Sequence, residues 1–211
     1  MDNFTIVNKT LTFLAKRNSG KSVLCKYLVE AEKHKFNKIF LICPTERINS
    51  HYSDLVKPDD IFDNYDEEWV DSLIKKMTEI NAGKKTKKNV LLILDDCVSD
   101  INFHQSPSLK KLYTRGRHIN ISVCMITQYM NMCPPVCRNN SDYLFVGQLN
   151  KQSINLLCDE FMCGDISKED FIKMYNRCST DFHFLVINNN SVKDNNLNNI
   201  YGKLKVPFSD V

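Results

Sequence analysis

The chain has 211 residues, 43% of them hydrophobic, enough for one buried core and too few for a multi-domain scheme. Its 28 basic and 25 acidic residues leave a net charge of only +3, which is too small to argue for a nucleic-acid partner from the total. No apolar run is long enough to span a membrane, and Met1 to Thr5 lack the basic and apolar regions of a secretory leader. The nine cysteines, an odd number lying largely inside apolar runs, read as reduced core thiols of a reducing compartment.

Thr10 to Leu14 is a strand-like run, and Ala15-Lys16-Arg17-Asn18-Ser19-Gly20-Lys21-Ser22 follows it directly. These residues fit the phosphate-binding loop GxxxxGKS/T at every position but the first. Such a loop aims backbone N–H groups at a helix N-terminus toward a cluster of anionic oxygens. Lys21 would bridge the terminal phosphates of a nucleoside triphosphate. Ser22 would offer its hydroxyl to Mg2+, and Gly20 would keep side-chain bulk away from the phosphates. Ala15 stands where most such loops have Gly, a cost if that position needs positive φ. Apolar residues at Val23, Leu24, Tyr27, Leu28 and Ala31 predict a helix over 21–35.

A strand is expected at 38–43 and a helix at 66–81. Lys84-Lys85-Thr86-Lys87-Lys88 is then a basic connector at the N-terminal end of the next strand, opposite the nucleotide edge. That strand, Asn89 to Asp96, is a continuous apolar run ending in two acids, the pattern of a buried central strand whose tip meets a ligand. It reads as a Walker B strand. Asp95 would hold the Mg2+ shell and Asp96 would orient or deprotonate the attacking water, the mark of hydrolysis rather than transfer to a metabolite.

A helix at 107–115 leads into Arg115-Gly116-Arg117-His118, and a buried strand at 120–127 ends in Gln128, an amide placed to sense the γ-phosphate. Guanidinium binds phosphate bidentately, so Arg115 and Arg117, and as a second candidate Arg138 in Cys137-Arg138-Asn139-Asn140, could supply an arginine finger reaching a neighbour's site. Arg17 is the alternative within one chain. After a strand at 143–147, Asn150-Lys151-Gln152-Ser153 imitates the guanine-reading NKxD, with Ser153 where the Asp should be. Helices at 151–160 and 167–177 and a strand at 182–187 complete the alternation.

Residues 1–190 therefore read as one α/β phosphate-loop domain, a mainly parallel sheet with helices on both faces. An extra strand between the two Walker motifs fits the RecA-like (ASCE) branch. Ser191 to Val211 is Asn-rich and weakly periodic, an extended or docking tail.

The order of phosphate loop, apolar strand with Asp95-Asp96, RGRHINISVCMITQ, and a Pro-rich loop into CRNNSDY resembles the DNA-packaging ATPases of large DNA viruses, poxviruses and virophages, within the FtsK/HerA class. The likeness spans about residues 10 to 187, and the block from RGRH to TQ is its most specific part. It implies ATP with Mg2+, an oligomeric ring, double-stranded DNA as substrate, and capsid or portal-vertex proteins as partners. It also implies a place in the host cytoplasm or nucleus, in a viral factory or with the virion. By position, Lys21 and Ser22 would bind phosphate and Mg2+, Asp95 and Asp96 would serve metal and water, and Gln128 would be the sensor. Two rivals stand beside it, a nucleoside or nucleotide kinase and a non-motor adaptor that binds ATP to assemble with capsid proteins. The Asp-Asp pair and the lack of an Arg-rich lid argue against the kinase.

Overall fold

A computed structural model describes residues 4–97, 103–194 and 196–207, and its strands form one eight-stranded sheet. β1 (Thr10–Leu14), β2 (Lys38–Ile42), β3 (Ile61–Phe62), β4 (Val90–Asp95), β5 (Ile121–Thr127) and β6 (Tyr143–Val146) are parallel. β7 (His183–Asn188) and β8 (Tyr201–Lys205) extend the sheet antiparallel, giving the order β3-β2-β4-β5-β1-β6-β7-β8. Strand β5 lies between the strands of the two Walker motifs, as the sequence implied. Residues 195 and 208–211 of the expected tail lie outside the described residues. Within it, Tyr201 to Lys205 form the edge strand β8 of the same sheet.

The helices are α1 (Lys21–Glu32), α2 (Glu46–Asn49), α3 (Glu67–Asn81), α4 (Pro107–Arg115), α5 (Pro135–Asn139), α6 (Lys151–Phe161), α7 (Lys168–Cys178) and α8 (Leu197–Ile200). The helix expected over 21–35 ends at Glu32 and tightens into a 3-10 turn at Lys33–Lys35. Both faces of the sheet are covered. Leu24, Cys25, Leu28 and Val29 of α1 pack with Leu91 and Ile93 on one face, while α3, α4, α6 and α7 pack with Val90, Leu92 and Leu94 on the other. Double coverage is why β4 and β5 read as unbroken apolar runs rather than alternating ones.

Helix starts are set by side-chain caps. Asp66 caps α3, Ser106 caps α4, Asn150 caps α6 and Ser167 caps α7, each accepting from a backbone N–H of the first turn. Asn150, the residue that imitates a guanine-reading motif, thus has a structural job: its Oδ1 accepts from the Ser153 N–H at 2.8 Å. Helix α1 differs from these four. Its N-cap is Gly20 in a left-handed conformation, with no side-chain cap.

Candidate nucleotide site

Because β4, β5 and β1 are parallel neighbours, their C-terminal ends open on one edge of the sheet, with Leu14 beside Thr127 and Asp95 beside Ile126. A cleft of about 390 Å³ lies there, lined by Arg17 to Ser22, Asp95, Asp96, Thr127, Gln128 and the segment after β2. The uncapped N-terminus of α1 borders it, leaving first-turn N–H groups for an anion where α3, α4, α6 and α7 spend theirs on caps.

Local geometry suits the loop to this task. Asn18 (φ 57°) and Gly20 (φ 82°) take the left-handed turns, and Asn is among the few side chains that tolerate one. A Cβ on Gly20 would also meet Val206, which follows β8, at 3.0 Å, so glycine is required on two counts. Ala15 is fully buried and is not among the positive-φ residues, so its methyl costs no backbone strain. It packs instead where Gly147 lacks a side chain; a Cβ there would lie 2.7 Å from that of Ala15.

Lys21 donates to the Lys16 carbonyl at 2.8 Å, bending its ammonium back over the loop. Burial pulls the Lys21 pKa down, and the Asp95 and Asp96 carboxylates oppose that shift. Asp95 is 8% exposed, and burial raises its pKa, against hydrogen bonds from Ser22 and Tyr52 that favour the charged form. Asp96 follows β4 in a left-handed conformation (φ 57°), the kind of backbone cost retained at functional sites.

A phosphate-and-metal pair fits these residues. A buried acid facing Ser22 and an ammonium is a site that a cation and an anion complete together. Mg2+ also keeps several waters, so it needs only one or two protein ligands. Among the described residues no group of three or more His, Cys, Asp or Glu is placed to hold a metal ion, and Ser22 and Asp95 are the residues that would hold Mg2+ here. The Thr127 hydroxyl, at the tip of β5, is buried without a hydrogen-bond partner among the described residues and borders the cleft.

Sequence reasoning missed the wall supplied by the segment after β2. Tyr52, 1% exposed, donates its hydroxyl to Asp95 Oδ2 at 2.8 Å. Glu46, 3% exposed, accepts from the Tyr52 N–H at 2.6 Å and the His51 N–H at 3.1 Å, and so fixes the turn that presents the phenol. Only the sheet order, with β2 next to β4, brings these residues to the Walker B strand, and no local pattern carries that information.

Arg17 to Ser22, Asp95, Asp96 and Gln128 come together, whereas the remaining candidates stand apart. Lys16 faces the other flank of the loop and Ala15 lies beneath it. Arg117 is exposed on the turn entering β5, at the opposite edge of the sheet from its own chain's cleft, the edge that also carries Lys84 to Lys88 before β4. Arg138 needs correction as a finger. It is 3% exposed, its Nε donates to Glu160 at 2.7 Å, its other arm bonds the same carboxylate, and Nη1 donates to the Met130 carbonyl at 2.9 Å and to that of Cys133. A buried guanidinium held by four hydrogen bonds inside its own chain is not placed to reach a neighbour.

Protein 075L of invertebrate iridescent virus 6 is 29% identical over 196 residues, covering 92% of this chain and 76% of that protein. The genome packaging NTPase B204 from Sulfolobus turreted icosahedral virus 2, solved in complex with ATP-gammaS, superposes with a TM-score of 0.67 at 19% identity, covering 95% of this chain and 98% of that one. EssC (ATPases 2 and 3) from Geobacillus thermodenitrificans superposes with a TM-score of 0.59 at 15% identity over 86% of this chain and 38% of that one. These structures share the fold, a mainly parallel sheet of the phosphate-loop ATPase type. The family model of the poxvirus A32 protein matches residues 3–201, and the chain belongs to that family.

Proposed function

We propose that this chain is an ATP-hydrolysing motor that moves double-stranded DNA into a viral capsid. One observation carries the reading: an uncapped helix N-terminus, the Asp95-Asp96 pair and Gln128 meet in one cleft at a shared sheet edge. Family membership supports it, as does the likeness to a genome packaging NTPase that binds an ATP analogue.

In this reading the loop N–H groups and Lys21 hold the β- and γ-phosphates, and Ser22 and Asp95 hold Mg2+, which neutralises charge on the transferring group when bound. Asp96 orients the attacking water and accepts its proton, and the Gln128 amide bonds both water and γ-phosphate. Arg117, remote from its own cleft, serves the neighbour's in a ring. Capsid or portal-vertex proteins would anchor that ring, in the host cytoplasm, nucleus or viral factory. No helix among the described residues is long and apolar enough to cross a membrane.

The test separates binding from turnover. Lys21→Ala should abolish tight ATP binding, because it removes phosphate contacts present in the ground state. Asp96→Asn should keep binding and lose about a hundredfold or more in turnover, the scale of general-base catalysis. Equal loss of binding in both variants would overturn these roles.

A further inference from the structure

Two features stand outside the chemistry of the nucleotide cleft, an outward isoleucine and the basic connector Lys84 to Lys88. Ile48, on α2, is 83% exposed, more than any other large hydrophobic residue described. One exposed apolar side chain is ordinary by itself, but this one has a fixed setting. Its neighbours Glu46 and Asn49 line the nucleotide cleft, and Glu46 is anchored by the His51 and Tyr52 N–H groups. Arg47 Nε donates to Asp63 at 2.8 Å, which ties α2 to the acidic turn before α3, where Asp66 and Glu68 are exposed. Ile48 therefore stands at the rim of the cleft, beside acids.

The opposite edge of the sheet carries a matching hollow. Helix α3 starts after β3 and ends before β4, and because both strands run parallel to β2 its two ends lie on opposite edges. At its far end a cavity of about 440 Å³ is lined by Thr78, Ala82, Gly83, Lys84, His118 and Ile119. Asn81, 5% exposed, braces its floor. Its Nδ2 donates to the Lys88 carbonyl at 3.0 Å and to the Ile119 carbonyl at 3.1 Å, and its Oδ1 accepts from the Lys88 N–H at 2.7 Å. The connector is thereby clamped to the turn that carries Arg117 and His118, and Lys84, Lys85, Lys87 and Lys88 stand exposed around the hollow.

We propose that Ile48 of one copy of this chain docks in this hollow of the next copy, as the central contact of a head-to-tail interface. Three complementary pairs coincide there. The exposed isoleucine meets a cavity, the acids beside it meet the lysines, and the cleft lined by Asn49 meets Arg117, the residue before His118. The third pair rests on the reading of the chain as an ATPase whose Arg117 serves a neighbour. A net charge of only +3 conceals this polarity, because opposite charges sit at the two ends of α3. Unlike surfaces that match in this way join copy to copy in one direction, and charge complementarity fixes their register.

Photocrosslinking tests the contact in the full chain, with p-benzoylphenylalanine in place of Ile48 and ATP present. A crosslinked pair whose second peptide lies within residues 78–88 or 116–119 is the expected result. Crosslinks to any other segment of the second copy, or none from an assembled sample, overturn the proposal. In sedimentation, Ile48→Asp should weaken self-association about tenfold or more while ATP affinity stays within about twofold, and Ile48→Leu should keep the assembly. Turnover in Ile48→Asp should fall as it does in Arg117→Ala. If Ile48→Asp loses ATP binding through misfolding, the crosslinked peptide decides. Lys84→Glu with Lys85→Glu should also loosen the assembly, as should added salt. Loss of duplex DNA binding in that double variant with the assembly unchanged would assign the lysines to nucleic acid and overturn the contact, as would an unaltered chain that stays monomeric with ATP. An unaltered chain that assembles through Ile48 but neither binds nor hydrolyses ATP would instead sink the ATPase reading and leave the contact standing.

Discussion

At the scale of single residues, burial and the hydrogen bond from Tyr52 act in opposite senses on the charge of Asp95. Burial raises the Asp95 pKa, so its ionised form is lost at a higher pH than that of an ordinary carboxylate near 3.9. Mg2+-dependent nucleotide binding should therefore fall on acidification through that raised value. The phenol hydrogen bond favours the carboxylate form, and Tyr52→Phe should move this acid limb upward by about one pH unit, the scale of one hydrogen bond to a buried charge. Titrating ATP affinity against pH at fixed Mg2+ checks it, and an unmoved limb would mean that Tyr52 only fills space. The stability linkage has the opposite sense to the binding one. With its folded pKa above the unfolded value, Asp95 favours the fold most below the unfolded pKa and loses that contribution as pH rises through the folded one. Asp95→Asn should accordingly stabilise the protein at neutral pH while it weakens Mg2+ binding.

At the scale of elements, Arg138 is a brace between α5, the turn at Met130–Met132 and α6. Arg138→Ala strands Glu160 and two buried carbonyls, and it should cost about 3–5 kcal/mol of stability by denaturant unfolding, the usual scale for breaking a buried pair. Arg138→Ala with unchanged stability and lost turnover would restore it as a finger. This residue also marks the limit of sequence reading. An Arg in a polar run looks the same whether it points outward or inward, and burial is settled only by the distant Glu160. The main strands and the long helices were legible because doubly covered strands give unbroken apolar runs and the long helices show their apolar spacing. Short elements such as β3, α2 and β8 were not, since their pairing depends on neighbours far away in the chain. The phosphate loop, Asp95, Asp96 and Gln128 were legible as motifs. Tyr52, Glu46 and the Thr127 hydroxyl are brought to the cleft by three-dimensional proximity alone.

At the scale of the whole molecule, the sheet separates two edges. The nucleotide cleft opens at the C-terminal ends of the parallel strands, while Arg117 and Lys84 to Lys88 lie at the other. Such a chain cannot bring Arg117 to its own cleft, but a ring can bring it to the next one. Arg117→Ala should bind ATP normally and hydrolyse it about a thousandfold more slowly, and mixing it with Lys21→Ala subunits should restore part of the activity at shared interfaces. Absence of rescue on mixing, together with silencing by Arg17→Ala alone, would place the finger within one chain.

The central claim, that ATP hydrolysis drives movement along duplex DNA, is tested most directly by displacement of a triplex-forming third strand from linear duplex DNA. The account predicts ATP-dependent displacement by the unaltered chain, a steady-state ATPase rate that rises with duplex DNA, and neither activity in Asp96→Asn. ATP turnover that is indifferent to duplex DNA, with no displacement under any nucleotide condition, would contradict it and favour a kinase or an assembly adaptor.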